Sequence, residues 1–219
     1  MTTKIVKLNL EGGGSDRLPK LRDNRVDERL LGMLDEKYHQ SCFTSQVSGH
    51  FNYLYASEAA SGVSVDANAM QRFIDVILPS YSDTEVYFQF QAGMFLSALI
   101  NNCPDNNIVL DVARLPKLNY LCSCLDNQKE VTILGDVGNY AAFGAKSGKV
   151  TIHGSAENGL GSELDGATVM VDGDAGMNVG SNAHSGEIHL GGKRFQLAPN
   201  LSEDVRIFHR KNKIWPRPK

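Results

Sequence analysis

The sequence predicts an α/β amino-terminal region followed by a short right-handed parallel β-helix. Three observations lead there. Glycine is concentrated after Gly135, in a segment that superposes on itself at a shift of nineteen residues. Within each unit, apolar and polar residues alternate as in a strand with one buried face. Ahead of the repeat, strand-like and helix-like patterns alternate along the chain. The expected division is 1–127 for the α/β region, 128–195 for the β-helix and 196–219 for a carboxy-terminal cap and tail.

At the nineteen-residue shift, Gly135, Gly154, Gly173 and Gly192 align. So do Val131, Val150, Val169 and Ile188, and two positions later Ile133, Ile152, Val171 and Leu190. Further apolar columns are Val137, Ala156 and Ala175; Ala141, Leu160 and Val179; and Ala145, Leu164 and Ala183. Ala142, Gly161 and Gly180 make a column of small residues. Nineteen residues are too few for a full strand-helix-strand crossover and too many for a hairpin. Short strands wound as a coil satisfy both limits, each winding bonded to the next about 4.8 Å along the axis. Glycine then belongs at corners, where the chain needs positive φ or approaches its neighbour closely.

The segment Gly135-Asp136-Val137-Gly138-Asn139-Tyr140, with Phe143-Gly144-Ala145-Lys146-Ser147-Gly148 after it, carries a further signal. It recurs as Gly173-Asp174-Ala175-Gly176-Met177-Asn178-Val179-Gly180, followed by Ser185-Gly186-Glu187-Ile188. This resembles the GXGXG β-helix family, found as the carboxy-terminal domain of glutamate synthase and within formylmethanofuran dehydrogenase. Ser147-Gly148, Asp165-Gly166 and Ser185-Gly186 stand where family turns often carry a Gly-Gly pair. The resemblance implies a scaffold that packs against catalytic partners holding the cofactors, and it brings no catalytic residue and no cofactor to this chain.

Before the repeat, Lys4 to Leu10 alternates as a strand and Gly12-Gly13-Gly14-Ser15 ends it. Neither the P-loop ending nor the dinucleotide glycine spacing accompanies that loop. Asn24 caps an expected helix over Val26 to Tyr38, with Leu30, Leu31 and Leu34 on one face. A second helix starts near Asp66, carries Met70, Phe73, Ile74 and Ile77 inward and stops before Pro79. Glu85 to Phe90 reads as a strand, Ala92 to Asn101 as a helix, and Cys103 to Asn107 as a turn. Ile108 to Val112 reads as a strand that pairs beside Val131 and Ile133 and closes the coil's open end. Leu115 to Leu125 reads as a short helix. Phe195, Leu197, Ile207, Phe208 and Trp215 are expected to cover the other end of the coil or to return to the α/β region, with an irregular tail after Trp215.

A net charge of −3 offers nucleic acid or an anionic membrane no attraction. No apolar run is long enough for a membrane span or a signal peptide, so the expected location is the cytoplasm. Cys42, Cys103, Cys122 and Cys124 do not read as a disulfide framework there.

Stacked windings let the register place chemistry. Lys146, Asp165 and His184 share a column and are expected to form an ion ladder; His153 lies one winding below Asp172. These five are the candidate binding residues, and no register position puts a nucleophile beside them. Cys122-Ser123-Cys124 lacks the further ligands of a zinc site. His39, Cys42 and His50 are near in sequence only. Three function classes remain. The first is a non-catalytic structural or assembly module with a protein partner or a second copy of itself. The second is a carbohydrate-active β-helix using Asp136 and Asp174, which share a column two windings apart. The third is a small-ligand module in which Arg114, His50 or the Gly12–Gly14 loop contributes.

Overall fold

A computed structural model describes residues 28–41, 49–83 and 87–216, without the side chains of 49–52. The expected strand at Lys4 to Leu10, the loop at Gly12 to Gly14, Asn24, Cys42 and the His50 side chain lie outside these residues. The first part is helical: α1 (Glu28–Ser41), α2 (Gly49–Ala59), α3 (Ala67–Val76), α4 (Pro79–Ser82) and α5 (Phe88–Asn102). In α1, Leu31, Leu34 and Tyr38 recur at helical spacing and are buried. Tyr38 meets Phe73, Tyr81 and Phe95 edge-on, with centroids 5.9, 4.9 and 5.6 Å away. Asp66 caps α3 by accepting from the Ala69 N–H at 2.8 Å, and Pro79 starts α4, where its missing N–H costs nothing.

Among the described residues the helices of this region come first, and β-structure in it begins at Asn107. The strand expected at Glu85 to Phe90 is corrected: Phe88 to Phe90 form the first turn of α5. Nearly the whole circumference of α5 is buried, so the helix shows no amphipathic stripe and its first residues mimic strand alternation.

From Asn107 onward the chain is a parallel solenoid of about five windings, its first strand lying inside the stretch assigned to the amino-terminal region. The strands are β1 (Asn107–Asp111), β2 (Glu130–Leu134), β3 (Lys149–His153), β4 (Asp165–Val171), β5 (Ser185–Leu190), β6 (Val205–His209) and β7 (Asn212–Trp215). They pair in chain order, all parallel except β6 with β7. Val131 pairs with Val150, Val150 with Val169 and Val169 with Ile188, as the nineteen-residue shift requires. The eight aliphatics of the two main columns are each no more than 2% exposed. The column runs on, since Ile188 pairs with Ile207.

The glycine column owes its composition to close approach. A Cβ on Gly154 or Gly192 would run into the carbonyl of the glycine one winding below, Gly135 or Gly173.

The corner of each winding has an unusual backbone. Left-handed φ alternates at Tyr140, Ala142 and Gly144, at Gly159, Gly161 and Glu163, and at Asn178, Gly180 and Asn182. The alternation points successive N–H groups to opposite neighbours: Tyr140 donates to Asn158 O above, Ala142 to Leu121 O below and Gly144 to Ser162 O above. Hydrogen bonds between windings thus hold non-glycine residues in a conformation that costs them about 1–2 kcal/mol each.

Tyr120, Cys122 and Cys124 carry the same alternation, at φ of 60°, 63° and 53°. The expected helix at Leu115 to Leu125 is therefore the first winding's corner. Its inward residues, Leu118, Leu121 and Leu125, recur every three or four positions, as a helix face does. The nineteen-residue shift does not detect this winding because Ile108 pairs with Val131, an offset of 23.

Each end of the coil is closed. At the first winding, α5 supplies what a preceding winding would. Gln89 O accepts from the Asn119 N–H at 2.9 Å, and Ser97 Oγ from the Ser123 N–H at 3.1 Å. Asn101 Nδ2 donates to Cys124 O at 3.2 Å. The Gln71 side chain of α3 occupies the open edge of β1, taking the Asp111 N–H at 2.8 Å and giving to its carbonyl at 3.1 Å. Buried Lys129 donates to the carbonyls of Cys103 and Asp105. At the far end Phe195 and Leu197 pack on the core and the β6–β7 hairpin terminates the sheet, its short, Lys213-bearing last strand being a poor template for further pairing.

Candidate functional site

Alternate residues of the sheet point away from the core, so its outer face is written by two columns. One is Val109, Thr132, Thr151, Met170, His189 and Phe208; the other is Asp111, Leu134 and His153, continued by Asp172. His153 Nδ1 lies 2.6 Å from Asp172 Oδ2, which places the pair where the register expected it. Both are exposed, at 45% and 63% of their side-chain surface. One winding on, His189 stacks on Phe208 at 4.7 Å and 8° and meets Glu187 at 3.0 Å, while Arg206 Nη2 holds the other Glu187 oxygen at 2.6 Å.

Asp172, His189, Phe208, Arg210 and Lys211 line a shallow groove of about 200 Å³. The groove holds Asp172 and His189 without their partners His153 and Glu187, and no serine, threonine or cysteine among the described residues lines it. Among the described residues no group of three or more His, Cys, Asp or Glu could hold a metal ion. Cys122 is fully buried and its thiol is pushed up to about 12 by desolvation; Cys124 rises to about 11, chiefly for the same reason. Neither is a thiolate at neutral pH.

Lys146, Asp165 and His184 do form one exposed column, since their N–H groups donate to Leu125, Ala145 and Leu164 of the preceding winding. The expected ion ladder does not form: among the described residues no ion pair joins the three side chains. His39 is exposed at the end of α1, and its expected neighbours lie outside the described residues.

Asp136 and Asp174 have a different task. Asp136 Oδ1 accepts from the Ser155 N–H at 2.8 Å, Ser155 Oγ from the Asp174 N–H at 3.2 Å, and Asp174 Oδ1 from the Lys193 N–H at 2.8 Å. Arg194 closes this ladder with Nε 2.7 Å from Asp174 Oδ2. Its backbone and side-chain hydrogen bonds to Asp174 hold that carboxyl down at about 2. A second ladder escapes the sequence reading: Asn119 accepts from the Asn139 N–H at 2.7 Å, Asn139 from Asn158 at 3.1 Å, and Asn158 from Met177 at 2.8 Å. The nineteen-residue shift aligns Asn139 with Asn158 and is a usable signal for it.

The fold and this face define the class: a parallel β-solenoid closed by helices at its first winding, with a shallow outer sheet face of mixed polar and apolar residues. No family model, curated protein or solved structure matches the chain. No helix among the described residues is long and apolar enough to cross a membrane.

Proposed function

We propose that the chain is a non-catalytic structural or assembly module, docking on a protein partner or on a second copy of itself in the cytoplasm. One observation carries the reading. The side chains that a catalytic β-helix would project into a cleft, Asp136 and Asp174 with the intervening Ser155, are bonded instead to the backbone of the next winding. They stiffen a rod and are not free to act as an acid-base pair. Its resemblance to the GXGXG domain of glutamate synthase-type or formylmethanofuran dehydrogenase-type complexes points to a larger redox or amidotransfer enzyme as the partner. The reading assigns the chain no cofactor and no nucleic-acid ligand.

The carbohydrate-active alternative is disfavoured because both carboxylates are already engaged, Asp136 by the Ser155 N–H and Asp174 by the Lys193 N–H and the Arg194 guanidinium. Asp174, held at about 2, is also not the protonated acid such a pair needs. The assembly reading is tested by the native mass. The chain, tagged at its own locus and purified without overexpression, is expected to elute in a stoichiometric complex or as a symmetric oligomer. A free monomer under all gentle lysis conditions would refute it.

A further inference from the structure

We infer that the cleft between α3–α4 and the outer face of β1 and β2 is a binding site for a free α-amino acid with an apolar side chain. The cleft encloses about 230 Å³. That is below the roughly 300–1,000 Å³ of sites for drug-sized molecules, so its occupant is small.

The floor is apolar where the adjoining windings of the outer face are polar. Val109 and Leu134 hold the outward positions that Thr132, Thr151 and His153 hold on their neighbours, and Ile74, Pro79 and Leu115 complete the walls. Around this floor stand charges of both signs that do not neutralise one another. Asp75 Oδ1 accepts from Gln71 Nε2 at 3.0 Å and Asp111 Oδ1 from the Ala113 N–H at 3.0 Å, which leaves each carboxylate one oxygen without a partner among the described residues. Arg114 lines the same cleft, is exposed, and makes no ion pair or side-chain hydrogen bond among the described residues.

A zwitterion answers this arrangement. Its ammonium group meets Asp75 and Asp111, its carboxylate takes the Arg114 guanidinium, and its side chain lies on Val109 and Leu134. A simple anion would face two carboxylates, and a simple cation would leave Arg114 unsatisfied. The acidic side is held in place before binding, because the Gln71 amide is fixed both to Asp75 and to the backbone of Asp111.

Calorimetric titration of the full chain with leucine, isoamylamine and 4-methylpentanoate tests this, the last two lacking the carboxylate and the amino group. Leucine is expected to bind and each analogue to bind at least about tenfold more weakly. Arg114→Gln is expected to weaken leucine by a similar factor with an unchanged unfolding midpoint, because the guanidinium holds nothing among the described residues. The inference is overturned by any of three results: no heat with leucine, methionine or phenylalanine at millimolar concentration, an analogue binding as well as leucine, or wild-type affinity in Arg114→Gln. None of these readouts depends on the native mass that tests the assembly reading.

Discussion

The side-chain oxygen of Asn119 reaches along the solenoid axis to the backbone N–H of Asn139, 2.7 Å away in the next winding. It begins a ladder in which each asparagine satisfies a corner N–H that the parallel backbone pairing leaves over. Asn119→Ala is therefore expected to cost about 1–3 kcal/mol, the penalty for a part-buried donor left unpaired. Urea unfolding checks it, with a lower midpoint and an unchanged slope.

Two helix glycines should respond oppositely to alanine. A Cβ on Gly93 of α5 would collide with the Asn119 carbonyl, whereas one on Gly32 of α1 meets nothing within 4 Å. Gly93→Ala is expected to destabilise by about 1–3 kcal/mol through overpacking against the first winding. Gly32→Ala should stabilise by about 0.5–1 kcal/mol, since alanine loses less chain entropy in a helix. Thermal unfolding of both variants gives the comparison.

Burial pushes Cys122 up to about 12, Cys124 to about 11, and the Tyr53 and Tyr120 hydroxyls to about 12. In the unfolded chain these groups lose their protons nearer 9 for the thiols and 10 for the phenols. Between those values and about 12 the folded state holds more protons than the unfolded one. Stability should be full below pH 9 and fall as pH rises through that window. Denaturant midpoints measured from pH 8 upward, together with thiol labelling that requires unfolding, test this; fast labelling of native Cys122 at neutral pH would contradict it.

Asp174 works in the acid direction. Its carboxyl is lowered from 3.8 to about 2, so its contribution is present above 3.8 and disappears as pH falls toward 2. Arg194→Ala should move the Asp174 titration back toward the ordinary carboxylate range, read by carbon-detected magnetic resonance. The variant keeps the main-chain N–H of residue 194, so the return is partial, and an unmoved titration would show that the guanidinium contributes nothing to holding the carboxyl down.

The His153–Asp172 pair is exposed on both sides, and exposed pairs contribute at most about 1 kcal/mol. His153→Ala should therefore leave the unfolding midpoint nearly unchanged. If the outer face docks a partner, the same variant should weaken that complex, measured by titration of the purified components.

The middle windings were legible because a parallel stack places like residues on like residues. Val150 above Val131 and His153 below Asp172 follow from one shift, and the structure keeps both relationships. Legibility failed where periodicity was local rather than stacked. Leu118, Leu121 and Leu125 mimic a helix face because a winding's corner buries residues at the same spacing, and α5 hid its period by burying nearly every side.

The chain alone thus determined the repeat, its register and its inward columns, since identical burial in every winding imprints itself as a nineteen-residue period. Tertiary structure alone decided the ends and the roles of the polar side chains. Ser97 and Gln71 meet edges distant in sequence, with no repeat to announce them. Asp136 and Asp174 became rungs instead of acids because the nearest unpaired N–H belonged to the next winding, a fact of geometry that composition does not carry.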